Sequence, residues 1–389
     1  MRVLVAFDKF KDSMTANQAC ESASKGIRAA LGNSIKIEQT PLTDGGEGFC
    51  PILTKAVGGA LKQYTVSGPL GEKRNAPIGW APAKNLPEAI QSKLQITGGQ
   101  IAIIEMASAA GLEQVPPAQR HPNNCTTYGV GELIGEAHKE GATAILLGIG
   151  GSATSDLGIG ALCALGLKLF DSSNSEVEKS TPTNWPDIAR LNTTRISQLP
   201  PIFIACDVDN PLTGPNGAAT IYGPQKGLMQ AEIDAFDRGT SHIGKQLCDA
   251  FKQPHDLCDT PGSGAAGGLG FGLKVAFNAT FLPGFDLVTS WLDLKNKIKS
   301  ADFVLSGEGK IDCSSLAGKG PVALTNLANK EGTNSALLAG KITPEAESKI
   351  KERFQNCRTQ SITPPRMPLP QALAQGQQNL EKAVERLLL

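Results

Sequence analysis

The chain has 389 residues with Lys+Arg and Asp+Glu both numbering 37, so no net charge draws it toward nucleic acid or a membrane surface. Its 40% hydrophobic content, 43 glycines and 25 prolines describe a turn-rich globular protein long enough for two domains, and 5% aromatic residues exclude a stacking platform for single-stranded nucleic acid. Nine cysteines include no CxxC pair, and the histidines (His121, His138, His242, His255) show no ligand spacing, which removes a disulfide framework and a zinc site.

The N-terminus reads MRVLVAFDKF, and Asp8 interrupts the apolar run far short of a signal-peptide core, so the chain is expected to stay in the cytoplasm. Residues 2–7 predict a strand. Residues 15–31 carry Ala19, Ala23, Ile27 and Ala30 at helical spacing, with Ser13 or Thr15 as cap and Gln18 three residues after Thr15. IKIEQTPL (35–42) predicts a second strand. QIAIIEM (100–106), ATAILLGI (142–149), LKLF (167–170) and PIFIAC (201–206) read as further buried strands, separated by helical stretches such as residues 128–141. ADFVLSGEGKID (301–312) and NSALLAG (334–340) repeat the strand-then-loop grammar, and residues 369–389 predict one terminal amphipathic helix. Residues 68–86 and 171–186 read as connectors or surface excursions. Alternating strands and helices imply an α/β protein with parallel or mostly parallel sheets and sites at the carboxyl ends of the strands.

Five predicted strand ends lead into loops that combine glycine with a carboxylate: VAFDKFK (5–11), TDGGEG (43–48), GIGGSATSDLG (148–158), CDVDNPLTG (206–214) and SGEGKID (306–312). One such loop is ordinarily a turn. Five at strand ends point to a site for a polyanion with Mg2+, because glycine admits close backbone approach and carboxylate oxygens suit a hard cation. PGSGAAGGLGFGL (261–273) adds a glycine run that reads equally well as an anion nest or as close packing through small residues. A helix N-terminus contributes about 0.3 to 2 kcal/mol to a nearby anion, too little to offset a nucleotide's clustered charge. The balance must come from a metal ion and from lysines, with Lys9, Lys11, Lys226, Lys310 and Lys319 as candidates beside the loops, each also readable as a solvated surface residue.

Two other classes compete. Gly148, Gly150 and Ala153 satisfy GxGxxA after a strand, with Asp171 about 20 residues on, the spacing of a dinucleotide-binding unit and hence of an NAD-dependent dehydrogenase. A non-catalytic small-molecule binding protein explains the glycines but not the concentration of acids.

Taken together, DKFKDSMTA (8–16), PLTDGGEG (41–48), GPLGE (68–72), IEMASAAGLEQVPPAQRHP (104–122), TTYGVGELI (126–134), GIGGSATSDLGIGAL (148–162), ACDVDNPLTGPNGA (205–218), GPQKG (223–227), PGSGAAGGLG (261–270) and SGEGKIDCSSLAGKGP (306–321) resemble the bacterial glycerate kinase family, of glycerate 2-kinase type. The resemblance implies ATP-dependent phosphorylation of D-glycerate with Mg2+, most simply to 2-phosphoglycerate, 3-phosphoglycerate being the alternative. It implies two α/β domains with a cleft between them. One is Rossmann/flavodoxin-like and discontinuous, residues 1–66 with 284–389; the other is an inserted mixed α/β domain, residues 67–283. Departures from the family pattern include Lys9 for a frequent Ser and Lys310 for a common Arg.

On this reading transfer is direct and in line. Asp207, with Asp44 second, orients or deprotonates the acceptor hydroxyl, and Lys11 neutralises the transferred group. Glu47, Glu308 and Asp312 hold the metal. Substrate and nucleotide contacts fall to Asp8, Gly45, Gly46, Gly150, Gly151, Ser152, Asp156, Asn210, Lys226, Gly264, Gly267 and Gly268. The expected partners are the two small molecules, with no nucleic acid or membrane partner and homo-oligomerisation left open.

Overall fold

A computed structural model describes residues 1–317 and 320–389 and divides into two compact units, Met1–Asp44 with Val288–Leu389, and Gly45–Leu287. Each is an α/β structure. Lys319 lies outside the described residues.

The first unit holds a five-stranded, wholly parallel sheet. Its strands are β1 (Arg2–Phe7), β2 (Lys36–Gln39), β11 (Phe303–Ile311), β12 (Asn334–Ile342) and β13 (Cys357–Ser361), in the order β13-β12-β11-β1-β2. Burial on both faces explains the continuous apolar runs. Along β12 the period of two sends Ala336 and Leu338 to one apolar cluster with Val3, Val5 and Ile27, and Leu337 and Ala339 to another with Val322 and Phe354. Helix Ala16–Leu31 begins at Thr15, whose Oγ1 accepts from Gln18 N at 3.3 Å while Gln18 Oε1 accepts from Thr15 N at 2.9 Å. The expected single C-terminal helix is two helices, Leu369–Ala374 and Gly376–Leu388. The break falls where Ser13 donates to the Leu373 carbonyl at 2.7 Å and crowds the Cα of Gly376.

The second unit holds a six-stranded mixed sheet in the order β10-β9-β6-β5-β4-β3. β5 (Gln100–Glu105), β6 (Ala144–Gly148), β9 (Ile202–Ala205) and β10 (Thr280–Leu282) run parallel, while β3 (Ala60–Ser67) and β4 (Lys73–Pro82) add an antiparallel hairpin. The segment 68–86, expected as a connector, is therefore mostly strand. Residues 45–66, expected with the first unit, lie in the second, because β3 pairs along its whole length with β4. LKLF does not join the large sheet: β7 (Lys168–Phe170) pairs antiparallel with β8 (Arg190–Asn192), closing a two-stranded arm around the 171–186 excursion.

Candidate active site

In the first unit the parallel ladder brings carboxylates together at the strand ends. Asp8 follows β1 and donates its backbone N–H to Gly307 O at 3.0 Å, which sets it beside Glu308 of β11. Leu42 N donates to Phe7 O at 2.8 Å and leads the chain to Asp44. Asp8 is only 7% exposed. Burial pushes its carboxyl up to about 7, the charges of Asp44 and Glu308 adding to the rise against the pull of the Lys9 N–H and ammonium. Burial likewise raises Glu308 to about 7, with Asp44 and Asp312 adding and Ser315 opposing. Such a site resists full ionisation without a cation, and its donors are all oxygen. Lys11 is exposed, its backbone running beside Gly309. Asp312 is spoken for: Lys310 Nζ at 2.8 Å and the Ser314 N–H and hydroxyl hold its carboxyl well below the usual range.

In the second unit the glycines expected to grip a ligand are first explained by backbone packing. Gly150 N donates to Gly45 O at 2.9 Å, and a Cβ on Gly150 would lie 2.7 Å from Gly46 Cα. A Cβ on Gly148 would meet Gly45 O at 2.6 Å. The TDGGEG and GIGGS loops thus interlock, with Glu47 against Gly151. The run 261–273 is closely packed: Gly264 N bonds Asn210 O at 2.9 Å, Gly267 O accepts from Leu157 N at 3.0 Å, and a Cβ on Gly268 would press Leu212 at 2.9 Å.

Asp156 is fully buried. Its carboxylate accepts from Thr127 N at 2.8 Å, Thr127 Oγ1 at 2.9 Å, and the N–H groups of Gly158 and Gly160 at 3.2 Å, so it ties together the starts of helices Tyr128–Lys139 and Ile159–Ala164. Burial raises its pKa while these four bonds oppose the rise. The helix start that a pyrophosphate would occupy is therefore filled by the chain's own carboxylate. Asp171 accepts from Ser173 N at 2.9 Å and Ser175 N at 2.8 Å, closing an exposed turn. The GxGxxA spacing does not build a dinucleotide site.

Lys226, 2% exposed, sends its ammonium to Ser152 Oγ at 2.9 Å and Thr154 O at 2.5 Å, with Ser155 Oγ at 3.5 Å. It braces the loop from within. Desolvation lowers its pKa to about 8, against the charges of Cys125 and Asp156. Asp207, just past β9, accepts from Phe285 N at 3.1 Å, which orients its carboxylate, and Asn210 Oδ1 accepts from Tyr222 at 2.5 Å. Glu105, absent from the sequence-based site, ends β5 and accepts from Gly48 N at 2.9 Å and Cys50 N at 3.1 Å, capping helix Phe49–Ala56. An acid at the carboxyl end of QIAIIEM was the available signal.

Among the described residues no group of three or more His, Cys, Asp or Glu side chains is arranged to hold a metal ion. Glu308 and Asp312 belong to the first unit and Glu47 to the second unit's loop pair. No described helix is long and apolar enough to cross a membrane.

The sequence from residue 3 to 389 matches the glycerate kinase family. A glycerate kinase of Halalkalibacterium halodurans is 35% identical over 388 residues, covering 99% of this chain and 97% of the relative. The glycerate 2-kinase of Escherichia coli K12 is 39% identical over 352 residues, covering 89% and 86% respectively. A crystal structure of a Salmonella typhimurium LT2 protein assigned as glycerate kinase 2 superposes with a TM-score of 0.77 at 31% identity, covering 100% of this chain and 97% of its own. Matched along its length in sequence and in fold, the chain belongs to the glycerate kinase family and is a phosphotransferase.

Proposed function

We propose that the protein transfers the γ-phosphoryl group of ATP to the 2-hydroxyl of D-glycerate, giving 2-phosphoglycerate and ADP. The bond from phosphorus to the β,γ-bridging oxygen breaks as the bond to the glycerate oxygen forms, and the hydroxyl proton passes to a carboxylate. The naming of the Escherichia coli relative supports the 2-position. The observation that carries the reading is the pair formed by Asp8, buried just past β1, and Glu308, half-buried in the neighbouring parallel strand β11, both raised to about 7.

Asp44 and Glu308 fit a magnesium ion that uses one or two protein carboxylates and completes its shell with water and phosphate oxygens. When bound, the ion supplies charge neutralisation on the transferring phosphoryl group. Asp207, its carboxylate oriented by the Phe285 N–H, takes the acceptor proton. Lys226 and Asp156 act on the GGSATSD loop as positioning residues, and Ser152 is the loop side chain offered to an anion. Lys11, exposed and with its backbone beside Gly309, neutralises the γ-phosphate. Both substrates are soluble metabolites, so the proposed compartment is the cytoplasm.

A coupled assay for ADP with D-glycerate, ATP and Mg2+ tests the reading, and phosphorus NMR of the product separates 2- from 3-phosphoglycerate. Absence of ADP formation would overturn the assignment of substrate.

A further inference from the structure

The polar excursion has a task that the catalytic reading leaves unused. Within the second unit it walls a cavity of about 490 Å3 against the Ser67–Gly71 turn and the segment before helix Tyr128–Lys139. The wall is tethered: Thr183 Oγ1 donates to Asn123 O at 2.8 Å, and the Ser180 and Thr126 hydroxyls lie 3.3 Å apart. Two apolar side chains stand open at this cavity, Leu70 at 39% and Tyr128 at 37% exposure. Hydroxyls and amides, among them Ser67, Asn124 and Thr181, supply the rest, and the charges of Glu178 and Lys179 cancel.

That lining selects a ligand class. A carboxylate or triphosphate would find no surplus positive charge here, and a three-carbon acid would fill only a fraction of the volume. A flat ring joined to a neutral hydroxylated ring uses both kinds of surface, the aromatic face for stacking and the hydroxyls for hydrogen bonds. The GGSATSD loop lies behind one wall: Thr126 in that wall follows Cys125, which packs in one apolar cluster with Ala153, the neighbour of Ser152. We infer that this cavity is the nucleoside subsite, holding the base and ribose of the phosphoryl donor with Tyr128 as the stacking face. The inference rests on the kinase reading for the identity of the donor, but not for the existence of the site.

Adenosine, which carries no phosphate, is the probe. Calorimetry should show it binding the full chain, and kinetics should show competition with ATP and none with glycerate. Tyr128→Ala should weaken adenosine binding and raise KM for ATP, each by roughly tenfold, with KM for glycerate unmoved. Tyr128→Phe should restore both. Thr183→Trp, which fills the cavity from the opposite wall, should abolish adenosine binding while its melting temperature confirms a folded protein. Adenosine binding unchanged in both Tyr128→Ala and Thr183→Trp overturns the subsite, as does a rise in KM for glycerate alone. Adenosine bound through Tyr128 in a protein that makes no ADP from glycerate would instead leave the subsite standing and sink the substrate assignment.

Discussion

Asp8 and Glu308 stand side by side across the β1–β11 ladder, where the Asp8 N–H bonds Gly307 O at 3.0 Å and both carboxyls are raised to about 7. Two like charges, one buried and one half-buried, destabilise the fold that positions them, an arrangement retained at functional sites. Asp8→Asn and Glu308→Gln should therefore each raise the melting temperature by a few degrees in metal-free buffer at pH 8, while ADP formation falls by about a hundredfold. Thermal melts and the coupled assay check this together. A lower melting temperature with activity retained would show the pair to be structural.

That neighbourhood was only partly legible beforehand. Asp8, Asp44 and Glu308 follow runs such as VLVAF and FVLS, whose continuous apolar character marks strands buried on both faces. β4 was hidden because its Lys73, Arg74, Gly79 and Pro82 read as loop, although Ala76, Ile78, Gly79 and Ala81 are buried. Asp156 was visible as an acid in a glycine loop, but its partner Thr127 lies 29 residues earlier, and only the folded chain shows it joining two helix starts. Lys226 was recognisable as a cation while its burial was not.

Because Asp156 accepts four internal hydrogen bonds, its removal should be felt first in stability. Asp156→Ala strands the Thr127 and Gly160 N–H groups at two helix starts and should cost about 3 to 5 kcal/mol. Asp156→Asn keeps one acceptor oxygen and should lose less. Urea unfolding of the three proteins measures the order. Wild-type stability in the alanine variant would return Asp156 to the list of ligand contacts.

The interlock of the two glycine loops predicts a contrast between substitutions of one chemical kind. Gly150→Ala drives a methyl to 2.7 Å from Gly46 Cα and N, both backbone atoms, and should cost about 1 to 3 kcal/mol and much of the activity. Gly141→Ala meets nothing within 4 Å and should cost only about 1 kcal/mol, from its φ of +83°. If the two variants lose stability equally and both remain fully active, the loops are not held by this contact.

Lys226 supplies the pH dependence. Its ammonium is buried and its pKa falls from the ordinary 10.5 to about 8, so between these values the folded chain holds fewer protons than the unfolded one. The free energy of unfolding should therefore rise with pH across that window and receive nothing from this group below about pH 8. Relative to Lys226→Met, which carries no charge, the parent should gain on the order of 3 kcal/mol between pH 8 and 10.5. Activity should move the other way. As the ammonium loses its proton, its hold on Ser152 and the Thr154 carbonyl weakens, and KM for the anionic ligand of that loop should climb above pH 8 in the parent alone. Urea unfolding of both proteins at several pH values, with KM measured in parallel, decides the matter. A stability difference that does not change with pH would mean that Lys226 is not a buried ammonium at neutral pH.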